Sequence, residues 1–233
     1  MGTILASSLI AEAENALNDT ENEYWTEAEL LGYLNEGCRA AVLQLPEANT
    51  ITATIQLVQG TKQTLPADGF RLFDIIRNMG TDGNTPGRAI RACERSALDQ
   101  DTPDWHSRPA NNVVRQFIHD IRNRNVFYVV PPQPENDRGR VEITYAKIPA
   151  NVAIDAAIPI DDIYHPAILA FMLHRAYAKD TNATGAGLPR SDHHFQIFLT
   201  LILGRESMQE LDVKTGNQIV EGDRVTLNIP GAA

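Results

Sequence analysis

The chain contains few cysteines and no long run of apolar residues. Its two cysteines, Cys38 and Cys93, lie far apart, without a CxxC pair or a cluster of metal-ligating residues around either one. We therefore expect two free thiols in a reducing compartment, and neither a disulfide nor a zinc framework. The richest apolar stretch, residues 168–173, is followed directly by His174 and Arg175. This run is too short to span a bilayer, so we expect a soluble protein without a membrane segment.

The sequence also lacks the short motifs of common catalytic sites. No GxSxG, GxxxxGK[ST], GxGxxG or HExxH occurs, so we expect no enzyme and no cofactor, and we predict no catalytic residues. His193 and His194 are adjacent, and neighbouring helix positions point about 100° apart, so we predict no metal site there. Asp161 and Asp162 directly precede a predicted helix, where carboxylates stabilise the helix dipole.

The net charge of −10 is unevenly distributed. Residues 1–49 contain nine acidic residues and a single basic one, Arg39, whereas residues 50–150 contain 13 basic and 11 acidic residues. A DNA-binding protein needs a basic face that neutralises phosphates. Since the two ends of the chain are acidic, we expect no specific DNA binding.

Two amphipathic helices are predicted in the N-terminal part. The first places Ile10 and Leu17 on one face. Thr26 followed by Glu29 predicts a capping box that begins the second helix, and Pro46 marks its exit.

From Thr50 onward the spacing of apolar residues changes from helical to alternating, which predicts a strand. Further short ordered segments are predicted at 89–96, 126–130 and 141–145, so the middle of the chain forms a small β-rich module. The polar segment 98–108 favours a surface excursion between strands.

Helical spacing returns in the C-terminal third. Pro166 stands in the first turn of a mostly apolar helix, as prolines often do. A glycine-containing break follows, and Phe195, Phe198 and Ile202 then recur at i, i+3 and i+7, which predicts a last helix. The residues from Val213 onward alternate in character and predict an extended tail.

These elements predict an α+β fold that is mainly α. We expect a four-helix bundle with a β-rich insertion between the second and third helices and an extended C-terminal tail. Residues 1–49 and 150–212 would form the discontinuous helical bundle, 50–149 the β-rich insertion module and 213–233 the tail.

Arginines concentrate in the β-rich module and predict a protein interface with an acidic neighbouring subunit. Arginine binds carboxylates as well as phosphates, and nearby aromatic side chains commonly anchor such contacts. DNA remains the alternative partner of this surface. The candidate contact residues are Arg88, Arg91, Arg95, Trp105, Arg108, Arg115 and Phe117.

Two helical blocks and an early threonine-rich strand carry a family likeness. The residues concerned are Tyr24-Trp25-Thr26-Glu27 with Leu30, Leu31, Tyr33, Leu34 and Asn35, then Leu45-Pro46, and later Tyr164-His165-Pro166-Ala167-Ile168 and His174-Arg175-Ala176-Tyr177-Ala178-Lys179-Asp180. In this order they resemble phage head-to-tail adaptor proteins over about Ile4 to Arg205. The residues after Leu211 carry no likeness.

The resemblance implies a structural virion protein, made in the host cytoplasm and located at the head-tail junction. Copies would form a ring, dodecameric if it matches the portal, with the portal protein on one side and tail proteins (nozzle or tail-tube) on the other. Genomic DNA would pass through without specific binding, because an acidic lumen repels it. Candidates for an acidic lumen or subunit-contact face are Glu12, Glu14, Glu21, Glu23 and Glu27. Candidates for a portal-docking tail are Val213, Ile219, Val220, Val225, Leu227 and Ile229.

Two other interpretations stay open at this point. The first is a different virion component, such as a tail-completion or tail-tube protein, for which the same motif-poor composition is expected. The second is an enzyme or small-ligand binder whose site lies in a loop of the β-rich module. Its candidate residues are Asp99, Asp101, Asp104 and His106.

Overall fold

The computed structural model describes residues 2–120, 122–180 and 187–221, with residues 205–221 described as backbone only. The α-helices are α1 (Ala6–Leu17), α2 (Glu27–Gln44), α3 (Arg95–Asp101), α4 (His165–Lys179) and α5 (Gly187–Glu221). The strands are β1 (Thr50–Gln56), β2 (Gly60–Thr64), β3 (Gly69–Met79), β4 (Pro86–Ala89), β5 (Arg91–Ala92), β6 (Gln116–His119), β7 (Val126–Gln133) and β8 (Arg140–Lys147). Short 3-10 helices occupy Pro46–Asn49 and Asp162–Tyr164.

The chain divides into two compact units. The helical unit comprises Ser7–Gly37 and the described residues from Ile163 onward, and the sheet unit comprises the residues up to Ala6 together with Cys38–Asp162. Helix α2 therefore contributes its first part to the helical unit and its last part to the sheet unit. In the part of the chain that the structure describes, no helix is long and apolar enough to cross a membrane.

Helix α2 begins with the predicted capping box. The Thr26 hydroxyl accepts the backbone N–H of Glu29 at 3.3 Å, and the Glu29 carboxylate accepts the backbone N–H of Thr26 at 3.1 Å. Both N–H groups lack partners inside the helix, so this exchange stabilises its first turn. Pro166 lies in the first turn of α4, also as predicted.

Apolar faces of α1, α2, α4 and α5 form the core of the helical unit. Leu30 and Leu34 of α2 are fully buried, as are Ile168 of α4 and Ile202 of α5. A Cβ atom placed on Gly37 would lie 3.2 Å from the Phe171 ring, so glycine allows α2 to approach α4 closely. Phe171 in turn packs edge to face against Phe198 of α5, with ring centroids 5.2 Å apart.

Two four-stranded sheets form the sheet unit. The order of the first is β1-β8-β3-β4 and that of the second is β2-β7-β6-β5. All pairs are antiparallel except β5 with β6. Alternate residues of both sheets share one buried apolar core, to which β3 contributes Leu72 and Ile75, β7 contributes Phe127 and Val129, and β8 contributes Ile143.

The segment 98–108 is mostly exposed and forms no strand, as predicted, but it also contains a helical part and buried residues that were not predicted. Residues up to Asp101 belong to helix α3, and Trp105 is only 1% exposed. Trp105 packs with Leu98 and Ile118 in a second small core. Because the residues around Trp105 are polar, the sequence pattern did not indicate this core.

The predicted four-helix bundle with a β-rich insertion is wrong. The described residues contain five α-helices and eight strands in two sheets, and the strands enclose a core of their own. The N-terminal residues also join the sheet unit, since Leu5 forms an isolated β-bridge with Ala157. The prediction failed because short strands give a weak pattern, which understated the β content of the chain.

The predicted extended tail is also wrong where the structure describes it. Residues 213–221 are the last part of α5, which is 35 residues long. Residues 222–233 lie outside the described residues.

Candidate functional site

Helix α4 neutralises two carboxylates of the acidic segment 7–37, which contains eight carboxylates and neither lysine nor arginine. Lys179 Nζ lies 2.9 Å from a carboxylate oxygen of Glu29, and Arg175 Nε lies 3.0 Å from one of Glu36. These pairs are partly exposed, so each contributes little to stability by itself. They do show that Glu29 and Glu36 already have partners inside the helical unit.

Asp19 organises the connection between α1 and α2. Its carboxylate accepts the backbone N–H groups of Glu23, Tyr24 and Trp25 at 2.9, 3.0 and 2.8 Å. These bonds, that from Trp25 most of all, lower the pKa of Asp19. Because they hold the backbone of this connection, they also fix where Glu21 and Glu23 lie.

The five glutamates predicted as an acidic lumen or contact face differ in their surroundings. Glu12 is exposed and lies 3.1 Å from His165 Nε2, whereas Glu14 is half-buried. The remaining three are exposed and have no ion-pair partner among the described residues. These three are Glu21, Glu23 and Glu27.

The structure places the backbones of three of the predicted arginines close together in the sheet unit. Arg88 lies on β4, Arg91 on β5 and Arg115 directly before β6. The buried Asn78 amide donates to the carbonyls of Arg88 and Val114, at 2.9 and 2.7 Å, and accepts the N–H of Val114 at 2.7 Å. Arg91 N–H donates to the carbonyl of Arg115 at 3.2 Å. All three arginines are exposed and have no ion-pair partner in the ranges described.

Two more of the predicted arginines are exposed but locally paired. Arg95 Nε lies 3.3 Å from Asp99, and Arg108 Nε lies 3.7 Å from Asp104. Both are pairs at i,i+4 on the surface, which are weak. Phe117 is only 5% exposed, so in the monomer it supports the surface from beneath.

The loop proposed for a ligand site is held by bonds within the sheet unit. Trp105 donates its indole N–H to Asp99 at 2.8 Å, and this bond is the main reason why the pKa of Asp99 is lowered. The His106 ring stacks on Trp105 with centroids 3.5 Å apart, and its Nδ1 lies 2.8 Å from the Thr61 hydroxyl. Asp101 is exposed. Among the described residues, no group of three histidines, cysteines or carboxylates is placed to hold a metal ion.

An open cleft of about 1010 Å³ lies beside these residues, between α3 and strands β5 to β7. Cys93, Arg95, His119, Arg122 and Tyr128 are among its lining residues. Within the described structure, His119 Nε2 is buried without a hydrogen-bond partner, and burial lowers the pKa of this histidine. His119 was not among the predicted site residues, because its strand, β6, was not predicted from the sequence.

Three of the predicted portal-docking positions lie on α5, namely Val213, Ile219 and Val220. Val225, Leu227 and Ile229 lie outside the described residues. Portal docking by the tail stays a prediction from the sequence.

Comparison with known proteins identifies the chain by its family. The family model described as SU10 adaptor protein matches residues 4–219, which is most of the chain. The chain belongs to this family. The SU10 adaptor proteins are a phage head-to-tail adaptor family, so the resemblance inferred from the sequence is confirmed. A search of curated proteins gives no significant match. Membership in the SU10 adaptor family makes this protein a phage virion component with a structural role.

Proposed function

We propose that this SU10 adaptor protein lies at the head-to-tail junction and forms a ring between the portal protein and the tail proteins. Genomic DNA would pass through the ring. The family match supports an adaptor, and the distribution of charge supports a ring. A match to the portal's symmetry would make the ring dodecameric.

The main support for this proposal is that one chain presents two groups of exposed side chains of opposite charge. Three exposed arginines of the sheet unit and three exposed glutamates of the helical unit have no ion-pair partner among the described residues. Contact between the arginines of one copy and the glutamates of the next is heterologous. Heterologous contacts close into a ring when the rotation per subunit fits, and complementary charge fixes the register of such contacts.

The same three glutamates suit a second position, on the wall of the DNA channel. Carboxylates repel the phosphate backbone, so DNA would slide past without adhering. Reversing the charge of these glutamates distinguishes a subunit contact from a place on the channel wall. At a subunit contact the reversal prevents ring assembly, whereas on the channel wall it leaves the ring intact and makes the passage of DNA dependent on salt.

Charge reversal tests the contact directly. One variant carries Arg88→Glu, Arg91→Glu and Arg115→Glu, and a second carries Glu21→Lys, Glu23→Lys and Glu27→Lys. We expect each variant alone to lose ring assembly on the portal, and a chain with all six changes to regain it. The measurement is the mass and copy number of the portal complex, by native mass spectrometry or mass photometry.

Arg122→Glu and Arg138→Glu are the matched controls, because both arginines are exposed residues of the same unit. They should leave the mass of the portal complex unchanged. Wild-type chains that never associate with each other or with a portal would contradict the proposed function. Rings that survive both triple reversals would contradict the charge contact and leave the adaptor role standing.

A further inference from the structure

Strand β1 has an open edge. It is the outermost strand of the first sheet and pairs with β8 on one side. No other strand of the described chain pairs with its second side. An unpaired strand edge presents a row of N–H and C=O groups that accepts a further strand.

The register shows which residues of β1 present these groups. Leu57 N–H donates to the carbonyl of Gly139, which continues the β1–β8 ladder past its last pair. Alternate residue pairs of an antiparallel ladder are hydrogen-bonded, so Ile55 also bonds to β8 while Thr52 and Thr54 direct their backbone groups outward. The 3.0 Å contact between the hydroxyls of Thr52 and Thr144 agrees, because side chains are closer in pairs that are not hydrogen-bonded.

The β1 strand lacks the residue types that protect free edges, although its Thr54 hydroxyl donates to the carbonyl of Gly83 at 3.2 Å. Its sequence, TITATIQ, contains no charged residue, proline or glycine. By contrast, β4 at the other side of the sheet is four residues long and carries Pro86 and Arg88. Three apolar residues of β1 pack on the core but stay only half-buried, and an added strand would cover them. They are Ile51, Ala53 and Ile55.

The sequence just beyond α5 has the residue pattern that a strand paired with β1 would need. Residues 224–229 read RVTLNI, with apolar side chains at Val225, Leu227 and Ile229 and polar ones between. This strict alternation is the pattern of a half-buried strand. On the β1 edge it would place the three apolar residues over the core and the polar ones beside Thr52 and Thr54.

Helix α5 extends well beyond the part that packs on α4. His174 of α4 bonds to Ser191, and Phe171 packs on Phe198, so the start of α4 lies near residue 202 of α5. The helix continues to Glu221. At 1.5 Å per residue, this places the end of α5 about 25 Å beyond α4.

We propose that residues 224–229 of one copy add a strand to the β1 edge of a neighbouring copy. The inference rests on the proposed ring, because a ring supplies each copy with one neighbour that donates and one that accepts. Main-chain hydrogen bonds to Thr52 and Thr54 would hold the strand, and burial of the apolar side chains would fix its face. The donated strand would thus link the copies of the ring in sequence.

Disulfide trapping between two variants tests this in the ring on the portal. One chain carries Thr54→Cys and the other Thr226→Cys or Asn228→Cys, all on the polar face, in a Cys93→Ser background. Mixed in equal amounts and mildly oxidised, they should give a cross-linked heterodimer. Val225→Cys and Leu227→Cys are matched controls, since these residues lie on the opposite face and should cross-link poorly.

Thr52→Pro provides a second arm. Its lost N–H points outward, so the change blocks the edge without breaking a bond to β8. We expect it to lower the cross-linked fraction about tenfold, as loss of an edge hydrogen bond and of close strand approach predicts. Thr52→Val keeps the N–H and should leave the cross-link unchanged, while thermal unfolding reports whether both variants are folded.

Three results would overturn the inference. The first is a ring of normal mass without any cross-link. The second is a cross-link that forms only within a chain carrying both Thr54→Cys and Thr226→Cys, which means that the strand returns to its own edge. The third is a tail cysteine that cross-links only to the portal. Each leaves the adaptor function in place, whereas a failure of rings to form at all, with no cross-link, would remove both.

Discussion

Trp25 donates its indole N–H to the backbone carbonyl of Ala176 at 3.1 Å. The two residues are 151 positions apart, and Trp25 is only 8% exposed. The bond therefore fixes the segment that precedes α2 against α4, although most of the sheet unit lies between these two segments in the sequence. The position of the connection between α1 and α2, which contains Glu21 and Glu23, therefore depends on α4.

Replacing Trp25 with phenylalanine should destabilise the protein measurably. The change removes the indole donor and leaves a buried carbonyl without its partner, so we expect the free energy of unfolding to fall by about 1–3 kcal/mol. Chemical denaturation measures it. Tyr24→Phe is the neighbouring control, since Tyr24 is exposed, and should change the free energy by no more than about 0.5 kcal/mol. Equal effects of the two changes would contradict the role of the indole bond.

Stability should fall in acid partly through Glu29. Its bond to Lys179, and then that from Thr26, lower the pKa of the carboxyl below 4.5 in the folded chain. The unfolded chain thus takes up a proton first as the pH falls, and the stabilisation present above pH 4.5 is lost below it. Glu29→Gln should flatten the dependence of the melting temperature on pH in this acidic window. Glu21→Gln is the control. If the melting temperature of Glu29→Gln depends on pH as steeply as that of the wild type, the prediction is wrong.

The parts of the fold that the sequence predicted are those set by neighbouring residues. The capping box of Thr26 and Glu29 and the position of Pro166 depend on one turn of helix each, so the residue types alone specify them. The resemblance to head-to-tail adaptors also rests on these helical blocks. They retain the most recognisable pattern in the chain.

The parts that it missed depend on residues far apart in the chain. Strand β6 is four residues long and is defined by its pairing with β5 and β7. Asn78 reads as an ordinary strand residue, yet its side chain bonds to Arg88 and Val114. The proximity of Arg88, Arg91 and Arg115 could therefore not be predicted from the sequence, whereas their exposure could be predicted from their charge.

The two thiols should differ strongly in reactivity. Burial raises the pKa of Cys38 to about 12, so almost none of it is thiolate at neutral pH. Cys93 is half-buried and lines the open cleft. We expect a thiol reagent to modify Cys93 in the native protein and Cys38 only after unfolding. Mass spectrometry of the peptides identifies the site, and Cys93→Ser should abolish native labelling. Early modification of Cys38 would contradict its burial.

Asp162 should hold the N-terminal residues in the sheet unit. Its carboxylate accepts the backbone N–H and the hydroxyl of Thr3, at 2.7 and 2.6 Å, and the N–H of Ile4 at 3.1 Å. These bonds lower the pKa of Asp162, the Thr3 hydroxyl most of all. Asp162→Asn should speed hydrogen exchange of the amides of Thr3 and Ile4, because the amide side chain is a weaker acceptor. Asp155→Asn, at an exposed position of the same unit, is the control, and equal exchange in both variants would show that the Asp162 carboxylate does not anchor the segment.

Asn78 links the stability of the sheet unit to the positions of the exposed arginines Arg88 and Arg115. This side chain is 6% exposed and makes three hydrogen bonds, to the carbonyls of Arg88 and Val114 and from the N–H of Val114. Asn78→Ala leaves these backbone groups without partners inside the unit, and we expect the free energy of unfolding to fall by about 2–4 kcal/mol. The amide of Val114 should also exchange faster than in the wild type. Asn84→Ala, in an exposed turn, is the control. The same bonds link Arg88 to Val114, which directly precedes Arg115. Asn78→Ala should therefore weaken ring assembly at temperatures where the chain is still folded. Full assembly at those temperatures would show that the arginine positions do not depend on this bond network.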